Sequence, residues 1–147
     1  LRVPLRFYSG NLISGNLEIC SGRRQAALAF LGVDILDNLK IWQKTYDMIK
    51  YGNQCIIQFP KAERYALGSE IKQSMYKILR LIVVANKSRN KKPILYEIDV
   101  ELDVLRTFIR LAADKDMKYL PLRKYENWGK LLNEIGKMLG GWMKTTQ

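Results

Sequence analysis

Residues 121–142 read PLRKYENWGKLLNEIGKMLGGW, and in them Tyr125, Trp128, Leu132, Ile135, Leu139 and Trp142 recur at spacings that alternate between three and four. Only a helix puts such positions on one face, so the stretch predicts an amphipathic helix with a continuous apolar stripe. Pro121 suits its first turn, where a missing N–H has no intrahelical partner to lose. A lone stripe of this length has to be buried against something, and the chain supplies three more. Upstream, Leu95, Ile98, Leu102, Leu105 and Ile109 repeat the pattern, as do Ile71, Met75, Ile78, Ile82 and Ala85. A first stripe runs through Leu39, Trp42, Tyr46, Ile49 and Ile56, with Pro60 expected to end its helix.

Between the stripes lie short breaks: Gly68-Ser69 as a kink or cap, and the turn Ser88-Arg89-Asn90-Lys91-Lys92-Pro93. Four amphipathic helices with short connections bury their stripes best as antiparallel neighbours. The expectation is an all-α, up-down-up-down four-helix bundle over residues 38–147, with no strand. Residues 1–37 differ: Gly10, Gly15, Gly22 and Gly32 punctuate them, and no period of 2 or 3.6 persists. Since the sequence opens on Leu1 rather than Met, they are expected to be an extension that is poorly ordered or not native.

Composition narrows the function. The chain has 147 residues, enough for one well-filled domain and hardly for two. It has 25 Lys and Arg against 14 Asp and Glu, a formal charge of +11. Residues 1–37 hold four cations (Arg2, Arg6, Arg23, Arg24) against three carboxylates (Glu18, Asp34, Asp37), so +10 of the +11 belongs to the bundle. A field of that size attracts polyanions, nucleic acid first among them.

Histidine is absent. General acid–base catalysis by imidazole, Ser-His and Cys-His nucleophiles and the usual imidazole metal sites are therefore unavailable. The two cysteines, Cys20 and Cys55, form neither a C-x-x-C pair nor a disulfide framework, which fits a reducing, cytoplasmic setting. Glu97, Asp99, Glu101 and Asp103 could suggest a di-metal bundle, but that site needs Glu-x-x-His, and acids early in a helix simply favour its dipole. Gly140-Gly141 lacks the strand and Lys-Ser/Thr of a phosphate loop. No cofactor, metal or catalytic residue is expected, and the chain is not expected to be an enzyme.

Leu81 to Ala85, the longest aliphatic run, is far shorter than the roughly 20 residues a membrane span needs. The twin arginines Arg23-Arg24 lead into too short an apolar run for an export signal, and the sequon Asn86-Lys87-Ser88 has no role in a cytoplasmic protein.

Two basic groups stand out. Arg106 and Arg110 are four apart on one helix face, where like charges repel unless an anion is bound, although Asp103 can pair with Arg106. Lys87, Arg89, Lys91 and Lys92 cluster in the turn between the second and third stripes. Tyr65, Tyr76, Tyr119 and Tyr125 could stack on bases, though tyrosines at helical spacing also serve as core rim.

The segments Phe59-Pro60-Lys61-Ala62-Glu63-Arg64-Tyr65-Ala66-Leu67-Gly68 and Glu134-Ile135-Gly136-Lys137-Met138-Leu139-Gly140-Gly141-Trp142 resemble the Avd family. These are the accessory proteins of diversity-generating retroelements, related to the four-helix proteins encoded in 23S ribosomal RNA intervening sequences. Leu105-Arg106-Thr107-Phe108-Ile109-Arg110-Leu111-Ala112 and Leu120-Pro121-Leu122-Arg123-Lys124-Tyr125-Glu126 resemble it too, in the same order. The likeness covers residues 38–147, and residues 1–37 have no counterpart in it.

What the resemblance implies is support of mutagenic retrohoming by a homopentameric ring that associates with a reverse transcriptase and its template RNA or cDNA. By position, Arg106 and Arg110 match arginines of the family's third helix expected to contact nucleic acid or the transcriptase. Lys61 and Arg64 fall in the Phe-Pro-Lys-x-Glu-Arg signature. The alternative is an intervening-sequence type of bundle that acts only as an oligomeric interaction module.

Overall fold

The computed structural model describes residues 39–146; the extension expected over residues 1–37 lies outside them. Helix α1 spans Lys40–Ile56, a single-turn α2 spans Lys61–Tyr65, α3 spans Leu67–Lys87, α4 spans Lys92–Ala112 and α5 spans Leu122–Thr145. No described residue is in a strand. The four long helices pack in a ring, α1 on α3, α3 on α4, α4 on α5, and α5 back on α1. Lys44 of α1 pairs with Glu134 of α5 at 2.8 Å, while Tyr51, two turns further on, reaches the Lys124 carbonyl near the start of α5. These two helices therefore run antiparallel, and the expected four-helix bundle is what forms.

The second and third stripes are buried throughout, and so is the middle of the fourth, from Trp128 to Leu139. Tyr125 and Trp142 at its ends are half-buried and pack against the core edge. The first stripe is corrected. Helix α1 buries Ile41, Thr45, Met48, Ile49, Gly52, Cys55 and Ile56. Leu39 and Trp42 sit on the rim and Tyr46 is exposed, with the Trp42 and Tyr46 rings stacked at 5.5 Å. The aromatic residues suggest a face about one position off, because the true face contains two residues that do not look apolar. The Thr45 hydroxyl donates to the Ile41 carbonyl at 2.8 Å, which makes it fit for burial. Gly52 makes room: a Cβ there would stand 2.6 Å from both Met75 Sδ and Trp128 Cζ2.

Helix α1 also ends at Ile56, earlier than Pro60 suggests. Pro60 instead opens α2, its carbonyl accepting from the Arg64 N–H at 3.0 Å. The chain breaks again at Ala66, and α3 starts so close to α1 that a Cβ on Gly68 would lie 2.9 Å from Ile56 Cγ2. Pro93 stands in the first turn of α4, and Pro121 immediately precedes α5, where its fixed φ of −60° is compatible with helix entry. Among the described residues no helix is long and apolar enough to cross a membrane.

None of the four acids Glu97, Asp99, Glu101 and Asp103 is in the first turn of α4, where the helix dipole would favour it; three of them, Glu97, Glu101 and Asp103, are drawn into ion pairs instead. Lys77 of α3 reaches Glu101 at 2.8 Å and Glu97 at 3.6 Å, tying α3 to α4, and its ammonium pKa is raised chiefly by the hydrogen bond to Glu101. Along the outer face of α4, Tyr96, Val100, Val104 and Leu111 are exposed, with Val100 the most so at 63%.

Candidate nucleic-acid interface

Helices α4 and α5 cross with a groove of about 640 Å³ between them. Arg106, Arg110 and Thr107 contribute from α4, and Tyr125, Lys130 and Asn133 from α5; Ile109 and Leu132 lie beneath it as buried core residues. The rims also carry Asp103 and Glu126. Three cations thus meet two carboxylates in one recess, and Asp103 is already engaged by Arg106 Nη1 at 2.6 Å. The Thr107 hydroxyl donates back to the Asp103 carbonyl, so it stays with its own helix.

Arg106 leans across the groove. A Cβ on Gly136 of α5 would come within 2.8 Å of Arg106 Nη2. The guanidinium therefore lies over a gap in the α5 surface that only a residue without a side chain leaves open. Two segments that are distant in sequence, Leu105–Ala112 and Glu134–Trp142, meet at this contact. The Arg106 side chain is 37% exposed, which keeps its remaining N–H groups available to an anion from solvent.

The other basic positions are elsewhere. Lys61 and Arg64 are on α2. The Arg64 Nε donates to the Phe59 carbonyl at 2.8 Å, so this arginine pins the α1–α2 connection. Lys87, Arg89, Lys91 and Lys92 lie around the turn between α3 and α4, at the opposite end of the bundle from α2. Lys91 is half-buried, its ammonium donating to the carbonyls of Ala85 (3.2 Å) and Asn86 (3.1 Å) at the end of α3 and standing 6.0 Å from the Trp142 ring. It satisfies orphan carbonyls at a helix C-terminus, where positive charge also suits the dipole. Lys87, Arg89 and Lys92 are exposed.

Of the eight basic positions that stand out in the sequence, only Arg106 and Arg110 share a cavity. Lys130, Asn133 and Gly136 do not stand out there. Lys130 follows its stripe residue Trp128 by two positions and looks like an ordinary solvated lysine. A hint lies in the spacing Tyr125, Gly129, Asn133, Gly136, which defines a second face of α5 bearing two residues with no side chain.

No curated protein matches the chain. A family model described as bAvd-like matches residues 39–146, the same span that forms the bundle. With most of the chain covered by that match and the described helices forming the four-helix architecture, the chain belongs to the bAvd-like family.

Proposed function

We propose that this protein is a non-catalytic accessory protein of a diversity-generating retroelement, which holds template RNA or cDNA for the element's reverse transcriptase in the cytoplasm. The observation that carries this reading, beside family membership, is the convergence of Arg106, Arg110 and Lys130 on one groove. Phosphates are its ligand class: guanidinium groups bind them in fixed geometry, and a net charge of +11 draws the polyanion in. Binding of this kind is salt-dependent and has little sequence choice. Polymerisation belongs to the partner enzyme.

Exposed apolar residues along α4 support self-association, and a pentameric ring is the assembly we propose. The same stripe also favours a second reading, an oligomeric module of the intervening-sequence type that binds no nucleic acid.

The double substitution Arg106→Ala/Arg110→Ala tests the first reading. A labelled oligonucleotide should bind the variant more weakly, and the slope of log K against log salt should flatten by about 1.4 if two single-strand phosphate contacts are lost. Far-UV circular dichroism should be unchanged. Unaltered binding with intact helicity would reject the groove as the site, and a parent protein that does not bind the oligonucleotide at all would leave the second reading. Val100→Lys tests the assembly: light scattering should report a smaller particle than the parent protein gives.

A further inference from the structure

The groove between α4 and α5 is oddly furnished for a site that meets only phosphates. Its lining includes the half-buried ring of Tyr125, and the exposed Glu126 stands among the cations, while Ile109 and Leu132 beneath it are core residues with almost no exposed surface. A carboxylate repels a phosphate and a tyrosine ring gains little from one. Both suit a nucleobase. Bases carry an aromatic face that stacks on tyrosine or on a guanidinium plane, and N–H groups on the Watson–Crick edge that a carboxylate or an amide oxygen accepts.

In a duplex those faces and edges are already stacked and paired. A duplex could reach the cations with its outer phosphates, yet Tyr125 would stay uncovered.

Resting on the phosphate-binding reading above, we propose that this groove seats an unpaired base of a single strand. The base stacks against Tyr125, its edge donating to Glu126 or Asn133. The flanking phosphates rest on Arg106 and Arg110 of one wall and Lys130 of the other. The groove's ligand is then single-stranded nucleic acid, and Tyr125 and Glu126 are base-contacting residues.

Three labelled probes separate the contributions when titrated against the full chain at one salt concentration: oligothymidylate, an abasic strand with the same number of phosphates, and a hairpin duplex of equal charge. Oligothymidylate should bind at least about five-fold more tightly than the abasic strand, the scale of one stacked base, and more tightly than the hairpin. Tyr125→Phe should keep that ratio and Tyr125→Leu should lower it towards one, with circular dichroism confirming that both fold. Equal affinity for the base-bearing and abasic strands in the parent protein overturns the base site while sparing the phosphate reading. So does a hairpin that binds as well as the single strand. If Arg106→Ala/Arg110→Ala instead binds all three probes as the parent does, the phosphate reading is what fails, and the base site falls with it.

Discussion

Replacing Gly136 by Ala should make the protein more stable and a weaker binder, two opposite signs that a general loosening of the fold would not give. In a helix interior Ala is favoured over Gly by about 1 kcal/mol, and Gly136 lies well inside α5. The cost is steric and local. The new Cβ would stand 2.8 Å from Arg106 Nη2, so the guanidinium must retreat by at least 0.6 Å to reach an ordinary 3.4 Å contact. Because the obstructed atom is the tip of a flexible, partly exposed side chain, the retreat is cheap. It endangers only the Asp103 pair, a surface interaction worth about 1 kcal/mol at most.

The net change in stability is then between about zero and 1 kcal/mol in favour of the variant, a rise of up to a few degrees in Tm. The affinity moves the other way. A hydrogen bond to a charged group contributes about 1.5–3 kcal/mol, and losing part of one in a solvent-exposed groove predicts a Kd roughly two- to five-fold larger. Thermal denaturation and fluorescence anisotropy on the same preparation measure both. A drop in Tm would show that Arg106 cannot move. An unchanged Kd, where Arg106→Ala does weaken binding, would show that the position of the guanidinium is immaterial; either result would mean that Gly136 does not set where Arg106 lies.

Gly52→Ala should do the reverse in the core: the Cβ meets the buried Met75 and Trp128 at 2.6 Å, and overpacking by about 1–3 kcal/mol outweighs the helix-propensity gain, lowering the urea midpoint. Lys91→Met should cost about 0.5–1.5 kcal/mol by leaving the Ala85 and Asn86 carbonyls without their donor, with oligonucleotide affinity nearly unchanged. Burial pushes the Cys55 thiol above its ordinary value of 9.0 and the Tyr51 phenol above 10.0, so the unfolded chain loses these protons first; stability should hold below pH 9.0 and fall as pH rises beyond it, readable from urea curves at stepped pH. In a Cys20→Ser background, Cys55 should react with a thiol reagent only as fast as the protein opens; rapid labelling of the native state would contradict its 2% exposure.

The sequence reveals helices through repetition, and where every repeat is aliphatic the reading needs no help. Ile71 to Ala85 and Leu95 to Ile109 are such cases. Helix α1 is harder, because its core face depends on a threonine that satisfies itself and a glycine whose value lies in a tryptophan 76 positions away. Nothing local signals either. The site divides in the same way. Arg106 and Arg110 are legible as a pair because they share a helix face, but Lys130 and Asn133 join them only once α5 is docked on α4. Arg64 and Lys91 show the converse: as basic residues near turns they look like free charge, yet carbonyls left open by Phe59 and by the end of α3 claim their donors.

The fit of Trp128 into the gap at Gly52 also bears on how such a protein can change over time. Aliphatic stripes are interchangeable, and helices carrying only leucine and isoleucine can slide or rotate past one another at little cost. An indole seated opposite an absent side chain acts as a keyed joint that holds α5 to one alignment on α1. The two positions therefore cannot drift independently: enlarging residue 52 requires room from residue 128 and also from Met75, whose Sδ stands equally close. Among descendants of this chain they should be found exchanged together, bulk on one helix matched by its absence on the other.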